Sequence, residues 1–284
     1  MHRSAIITQL KNESSILEHW LDTVGDLTDY IVVLNDNSDD NSVEILENSE
    51  YSKKIDIIKN DSRLREEGRG YQICLQKAKE LGAKRIYVSD PDEIPSPYSV
   101  GIMDNLINSS TDSYMIHRAE LALDQSTVYG TNEGNGKLVI TNINGANFNN
   151  NVIHSSQPMV AGKTCVVPST VACLLHYGPS CYASQVFKCL CYIIWENKSL
   201  NKSYECGYNE YFKLYRNFVK TGDKSAKQYM GDFKLPYQHW LPKEIAEFCI
   251  NEVDVFDDDL DIVKTIQYFK DVKDVKEMVF GRVK

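Results

Sequence analysis

The chain has 284 residues, of which 42% are hydrophobic and 25% charged, with 31 Lys and Arg against 40 Asp and Glu. This composition excludes wholesale disorder, collagen-like repeats and coiled coil, and leaves ample chain for a core. The formal charge of −9 argues against a broad nucleic-acid surface, which needs basic residues to neutralise phosphates, and it suits clefts that attract metal cations.

Short apolar runs at 5–8 (AIIT), 30–34 (YIVVL), 55–58 (IDII) and 86–89 (IYVS) predict strands, the second continuously apolar as a strand covered on both faces should be. Between them Ile16, Leu17, Trp20, Leu21 and Val24 share one helical face, Val43, Ile45 and Leu46 suggest a shorter helix, and Tyr71, Cys74, Leu75, Ala78 and Leu81 share another face that Gly82 ends. A βαβαβαβ order with right-handed crossovers implies a Rossmann-like, mostly parallel α/β sheet with helices on both faces.

In such a sheet ligands bind beyond the carboxyl ends of the strands. Polar clusters fall there: Lys11-Asn12-Glu13, the run 35–40 (NDNSDD), Asn60-Asp61-Ser62-Arg63 and Ser89-Asp90-Pro91-Asp92-Glu93. Each alone also fits ordinary turn and helix-capping chemistry. The last places three acids within four residues, a repulsion that a hard divalent cation relieves while keeping positions for water and phosphate. As an alternative, Ile94-Pro95-Ser96-Pro97 simply continues an acidic surface turn.

From 125 to 162 the abundance of Asn and Gly predicts irregular loops and short hairpins. Gly134-Asn135-Gly136-Lys137 lacks the Walker spacing, and Gly68-Arg69-Gly70 lacks a third glycine for a dinucleotide loop. After Trp195, Tyr204, Tyr208, Tyr211, Phe212, Tyr215 and Phe218 recur at helical spacing, as do Val263, Ile266, Phe269, Val272, Val275 and Val279. The division expected is 1–195 as catalytic domain and 196–284 as a helical extension that packs on it or pairs with a second subunit as a homodimer. The aromatic stripe reads as core rather than as a sugar platform.

Eight cysteines form no C-x-x-C pair, so reduced, buried thiols are expected; Cys173 and His176 stand as C-x-x-H without the second pair a structural zinc needs. No apolar run approaches about 18 residues and the N-terminus turns polar early, which predicts neither a membrane span nor a secretory signal, hence a cytoplasmic protein.

The segments Lys11-Asn12-Glu13, IVVLNDNSDDNS (31–42) and IYVSDPDE (86–93) together resemble the family 2 nucleotide-sugar glycosyltransferases of the GT-A fold, with their KNE-like segment, Asp-rich turn and D-x-D motif. Asn151-Val152-Ile153-His154-Ser155 and Leu174-Leu175-His176-Tyr177 are similar to the "vHE" and "lHY" segments of one branch, in which a lysine follows, here Lys188. The match spans about residues 4–195. The resemblance implies a metal-dependent, inverting transfer of sugar from a nucleoside-diphosphate donor, a UDP-sugar first, to a hydroxyl of a glycan or glycoconjugate, with Mn²⁺ or Mg²⁺ as cofactor. It puts Asp36 at the nucleobase, Asp90 and Asp92 at the diphosphate and its ion, and His176 as a late ligand. Lys11, Asn12, Glu13 and Arg63 border the donor, Lys11 or Arg63 supplying charge to the diphosphate. The branch has Glu after its first histidine where this chain has Ser155, which leaves the general base open among His154, Glu120 and Asp124. Two other classes compete: a haloacid-dehalogenase-type phosphatase, whose nucleophile also sits in a D-x-D after a strand, and a non-catalytic glycan- or nucleotide-binding protein.

Overall fold

The structure, a computed structural model, describes residues 3–61, 67–123, 125–129, 136–149, 156–221, 224–225, 235, 241, 243–254, 257 and 260–272. Four parallel strands come first: β1 (Ser4–Leu10), β2 (Tyr30–Asn35), β3 (Ile55–Lys59) and β4 (Arg85–Val88), in the spatial order β3-β2-β1-β4. Alternate residues of β1 face opposite ways, as a period of two requires. Ile6 and Leu10 pack under α1 (Ser14–Val24) and α2 (Ser42–Asn48), whereas Ala5 and Ile7 pack against α3 (Glu67–Glu80). Helices therefore cover both faces. All five residues of the α1 stripe are buried. Gly82 ends the α3 turn at a φ of +82°, a conformation that costs a glycine little.

The second half of the sheet reverses direction. β8 (Gly136–Asn142) runs antiparallel to β4, and β6 (Ser113–Leu121) antiparallel to β8. β7 (Thr127–Tyr129) extends β6 and pairs in turn with β13 (Lys224–Ser225); β9 (Ala146–Asn147) and β10 (Met159–Val160) form a separate small ribbon. The stretch 125–162, expected as loops and short hairpins, thus includes a seven-residue central strand. β11 (Thr164–Val167) and β12 (Cys173–His176) each add to β6 in parallel, and β12 also pairs antiparallel with the short β5 (Glu93–Pro95), which is followed by α4 (Val100–Ile107). Residues 94–95 are therefore strand, not a continuing surface turn.

Four further helices follow: α5 (Tyr182–Leu200), α6 (Tyr204–Thr221), α7 (Lys243–Asn251) and α8 (Ile262–Asp271). They share a second apolar cluster in which Leu190, Phe212, Ile245, Ile266 and Phe269 are fully buried, so these members of the stripes pack within the chain. Val275 and Val279 lie outside the described residues. α5 runs through position 195, where the sequence suggested a division. Among the described residues no helix is long and apolar enough to cross a membrane.

All eight cysteines are unpaired. Five are buried, but Cys165 and Cys181 are partly exposed and Cys206 is exposed, which corrects the expectation that all are buried.

Candidate functional site

The carboxyl ends of β1, β2 and β4 open into a cleft of about 410 Å³ whose far wall is α5 and α6. Lys11, Asn12, Glu13, Asp36, Asp90, Asp92, Glu120 and His176 all line it. Arg63, Asp124 and the segment carrying His154 lie outside the described residues.

The near rim is knit by turn chemistry. Asn12 and Asn37 adopt positive φ, which Asn tolerates better than most residues, and bend the chain out of β1 and β2. Asn12 is buried and its Oδ1 accepts the Asp39 N–H at 2.8 Å. The Lys11 ammonium donates to the Asn37 carbonyl and lies 2.7 Å from Asp39 Oδ1, so it braces the two turns. Asp40 accepts N–H groups from Ser14 and Ser42, each at 3.0 Å, and so caps α1 and α2 at once. Asp36 accepts from Asn60 Nδ2 at 2.9 Å and stays half-buried at the cleft edge.

The floor is the D-x-D turn. Buried Trp20 donates its indole N–H to Ser89 Oγ at 3.0 Å, Glu93 N–H closes the turn on the Asp90 carbonyl at 2.9 Å, and Tyr177 N–H binds the Asp92 carbonyl at 2.8 Å. Because β12 lies between β5 and β6, its last residue His176 is in register with Glu93 on one side and Glu120 on the other. Strand pairing thus assembles the site. Cys173, three residues earlier, is buried in the core, away from the ring of His176 in the cleft, so the C-x-x-H pair makes no common metal site.

Around the turn, acids and bases alternate. The Tyr71 hydroxyl donates to Asp90 Oδ1, and Lys137 Nζ lies 2.7 Å from Asp90 Oδ2 and 2.5 Å from Glu93 Oε2. Arg118 reaches Glu93 Oε1 at 2.9 Å and Glu120 Oε1 at 2.6 Å. Glu120 Oε2 holds His176 Nδ1, while His176 Nε2 and Lys188 Nζ stand 3.2 Å and 3.6 Å from Asp92 Oδ2. The pKa values follow from these neighbours. Burial works against a charged Asp92, but Lys188 and His176 outweigh it and hold the carboxyl well below its usual range. Burial also lowers the His176 pKa, yet Glu120 and Asp92 prevail and push it up to about 9. Lys137, desolvated but facing Asp90 and Glu93, is likewise pushed up.

A divalent ion here would have to displace the proton that joins His176 Nε2 to Asp92 Oδ2. Two ligands at right angles around Mg²⁺ or Mn²⁺, with bonds of about 2.1 Å, stand about 3.0 Å apart. Asp92 Oδ2 and His176 Nε2, at 3.2 Å, match this spacing, and Glu120 behind Nδ1 fixes the ring as carboxylates do behind metal-binding histidines. Gly178 keeps the notch open: a Cβ there would lie 2.8 Å from both atoms. Asp90 accepts from Tyr71 on one oxygen and Lys137 on the other, which leaves one lone pair on each. Among the described residues no three His, Cys, Asp or Glu side chains form a complete cage, so water and phosphate would supply the other positions.

Of the expected residues, Lys11, Asn12, Glu13, Asp36, Asp90, Asp92, Glu120 and His176 share one cleft, where Arg118 and His176 hold the Glu120 carboxylate. Sequence reasoning missed Lys137, Arg118 and Tyr71. The one available signal was charge: so many acids in one turn require buried cations, although nothing showed which of the 31 basic residues would supply them.

The glycosyl transferase family 2 model matches residues 5–162 of this chain. No curated protein matches. Among solved structures the chain is similar to S. aureus TarS 1-349 in complex with UDP-GlcNAc, at 12% identity over 77% of this chain and 74% of that one, with a TM-score of 0.45. It is also similar to GalNAc-T7 with UDP, GalNAc and Mn²⁺, at 12% identity over 82% of this chain and 56% of that one, with a TM-score of 0.46. Glucosyl-3-phosphoglycerate synthase from Mycobacterium tuberculosis with Mn²⁺, UDP and glucosyl-3-phosphoglycerate is matched over 42% of this chain and 44% of that one, at 16% identity and a TM-score of 0.30. With the family model spanning more than half its length, the chain belongs to glycosyl transferase family 2 and is a glycosyltransferase.

Proposed function

We propose that the protein moves a sugar from a nucleoside-diphosphate donor, a UDP-sugar in first place, to a hydroxyl of a glycan acceptor, with inversion and with the help of Mn²⁺ or Mg²⁺. The observation that carries this reading is the pair Asp92 and His176, facing each other at 3.2 Å on the floor of a cleft whose rim holds Asp36. The membership in family 2 supports the donor class; it does not choose the base or the sugar.

In this reading Asp36 accepts an N–H of the nucleobase, and Asp90, with one lone pair left on each oxygen, receives donor hydroxyls. Asp92 and His176 would hold the ion. When bound, that ion neutralises the charge growing on the departing diphosphate. Lys188, on α5 and facing the cleft, adds a fixed positive charge on the same side. Glu120 orients His176, which leaves removal of the acceptor proton to His154 or Asp124. Eight unpaired cysteines favour a reducing compartment, in keeping with a cytoplasmic site of action.

The test is Asp92→Asn, read as sugar transfer and as thermal unfolding. Transfer should fall by more than about a hundredfold, beyond the range typical of changes behind a metal ligand, in a variant that melts lower, having lost the buried partner of Lys188 and His176, but is folded at the assay temperature. Full activity in the variant, or undiminished transfer by the parent protein in excess chelator, would defeat the metal-centred reading.

A further inference from the structure

Lys137 lies on β8, 47 residues from the turn it serves, with its side chain only 3% exposed. A lysine is seldom so buried without a reason, because desolvating an ammonium and its partners cancels most of the attraction between them, and an apolar side chain of equal volume would serve stability as well. What the ion pair supplies is geometry. Lys137 takes one oxygen of Asp90 and the Tyr71 hydroxyl takes the other, so the carboxylate is fixed in plane although 27% of its side chain remains open to the cleft.

We propose that Lys137 is a positioning residue for the nucleotide-sugar donor, acting through Asp90, which it and Tyr71 clamp in the orientation that receives donor hydroxyls. The proposal rests on the donor reading above. Lys137 itself does not touch the donor; its removal frees Asp90 to swing toward Asp92 and its ion.

UDP, GDP and dTDP are titrated calorimetrically, with Mn²⁺ present, against the full chain, Asp90→Asn, the charge-balanced pair Lys137→Met/Glu93→Gln, and the three changes combined, with thermal unfolding recorded for each. The paired variant should melt near the parent and bind the preferred nucleotide at least tenfold more weakly. The triple variant should bind within threefold of Asp90→Asn alone, because a residue acting only through Asp90 has nothing more to lose. Tyr71→Phe, which deletes one hydroxyl, carries the same comparison should the paired variant fail to fold. Unchanged affinity in the variants, or losses that multiply with that of Asp90→Asn, would overturn the proposal while the donor reading stands. Absence of nucleotide binding by the parent would sink the donor reading and this proposal with it.

Discussion

At the scale of single residues, Glu120 shows how position adds to a role that residue type suggests. An acid beyond the D-x-D turn reads as a base, and Arg118 and His176 hold this one, which on the proposed reading makes it the group that orients the ring. Glu120→Gln keeps the shape and removes the charge that orients the ring. Transfer should drop about 10–100-fold, with Mn²⁺ affinity falling by a similar factor in titrations followed by electron paramagnetic resonance. A loss of transfer at unchanged Mn²⁺ affinity would return Glu120 to the list of bases. Asp36, Asp90 and Asp92 were legible because each sits in a short polar run after an apolar one, and His176 because Leu174-Leu175-His176-Tyr177 resembles a family segment. Lys137 and Arg118 were not: both lie within strands, where a charged residue carries no sign of the distant carboxylate that satisfies it.

At the scale of elements, β1, β2 and β4 were readable because buried strands carry runs of apolar residues, and β3, half-buried at the end of the sheet, because Ile55, Ile57 and Ile58 mark it. β6 escaped because the site interrupts its pattern: His117, Arg118 and Glu120 are charged or polar residues on a strand otherwise carrying Ile116, Ala119 and Leu121 into the core. The Asp-rich turn is mixed, since Asp36 opens to the cleft while Asp40 caps α1 and α2. Asp40→Ala should cost about 1–2 kcal/mol of stability, measured by urea unfolding at neutral pH. Burial raises the Asp40 pKa, but hydrogen bonds from Ser42 and Ser14 outweigh it and leave it lowered. A depressed folded-state pKa contributes stability above the unfolded value near 3.8, lost as pH falls through the folded value. The gap between parent and variant should therefore narrow below about pH 4, and a gap constant with pH would show that the carboxylate charge plays no part.

At the scale of the molecule, α5 belongs to two places at once: Lys188 and Tyr192 line the cleft, while Leu190 and Ile194 enter the cluster shared with α6, α7 and α8. The integrity of the helical cluster and the shape of the cleft are thereby linked. Phe269 on α8 is fully buried against Phe187 and Phe248. Phe269→Ala should cost about 3–5 kcal/mol, and donor affinity should weaken although the residue touches no ligand; a loss of stability with donor affinity intact would show that the helices merely attach. For the intact protein, a saturating nucleotide sugar at a hundred times its Kd should raise the unfolding free energy by about 2.7 kcal/mol, which a thermal-shift series with and without chelator would detect. The helices were legible from their stripes. Their share in the cleft was not, because a stripe tells which side is apolar and not what the opposite side overlooks.

Gly178 carries a consequence of its own. Its lack of a side chain is what leaves room between the Asp92 carboxylate and the His176 ring, and a single methyl group would come within 2.8 Å of each. Alanine at this position would press on both side-chain tips at once, so on the proposed reading Gly178→Ala should lower transfer with every charge still in place; transfer equal to the parent's would show that the two tips give way.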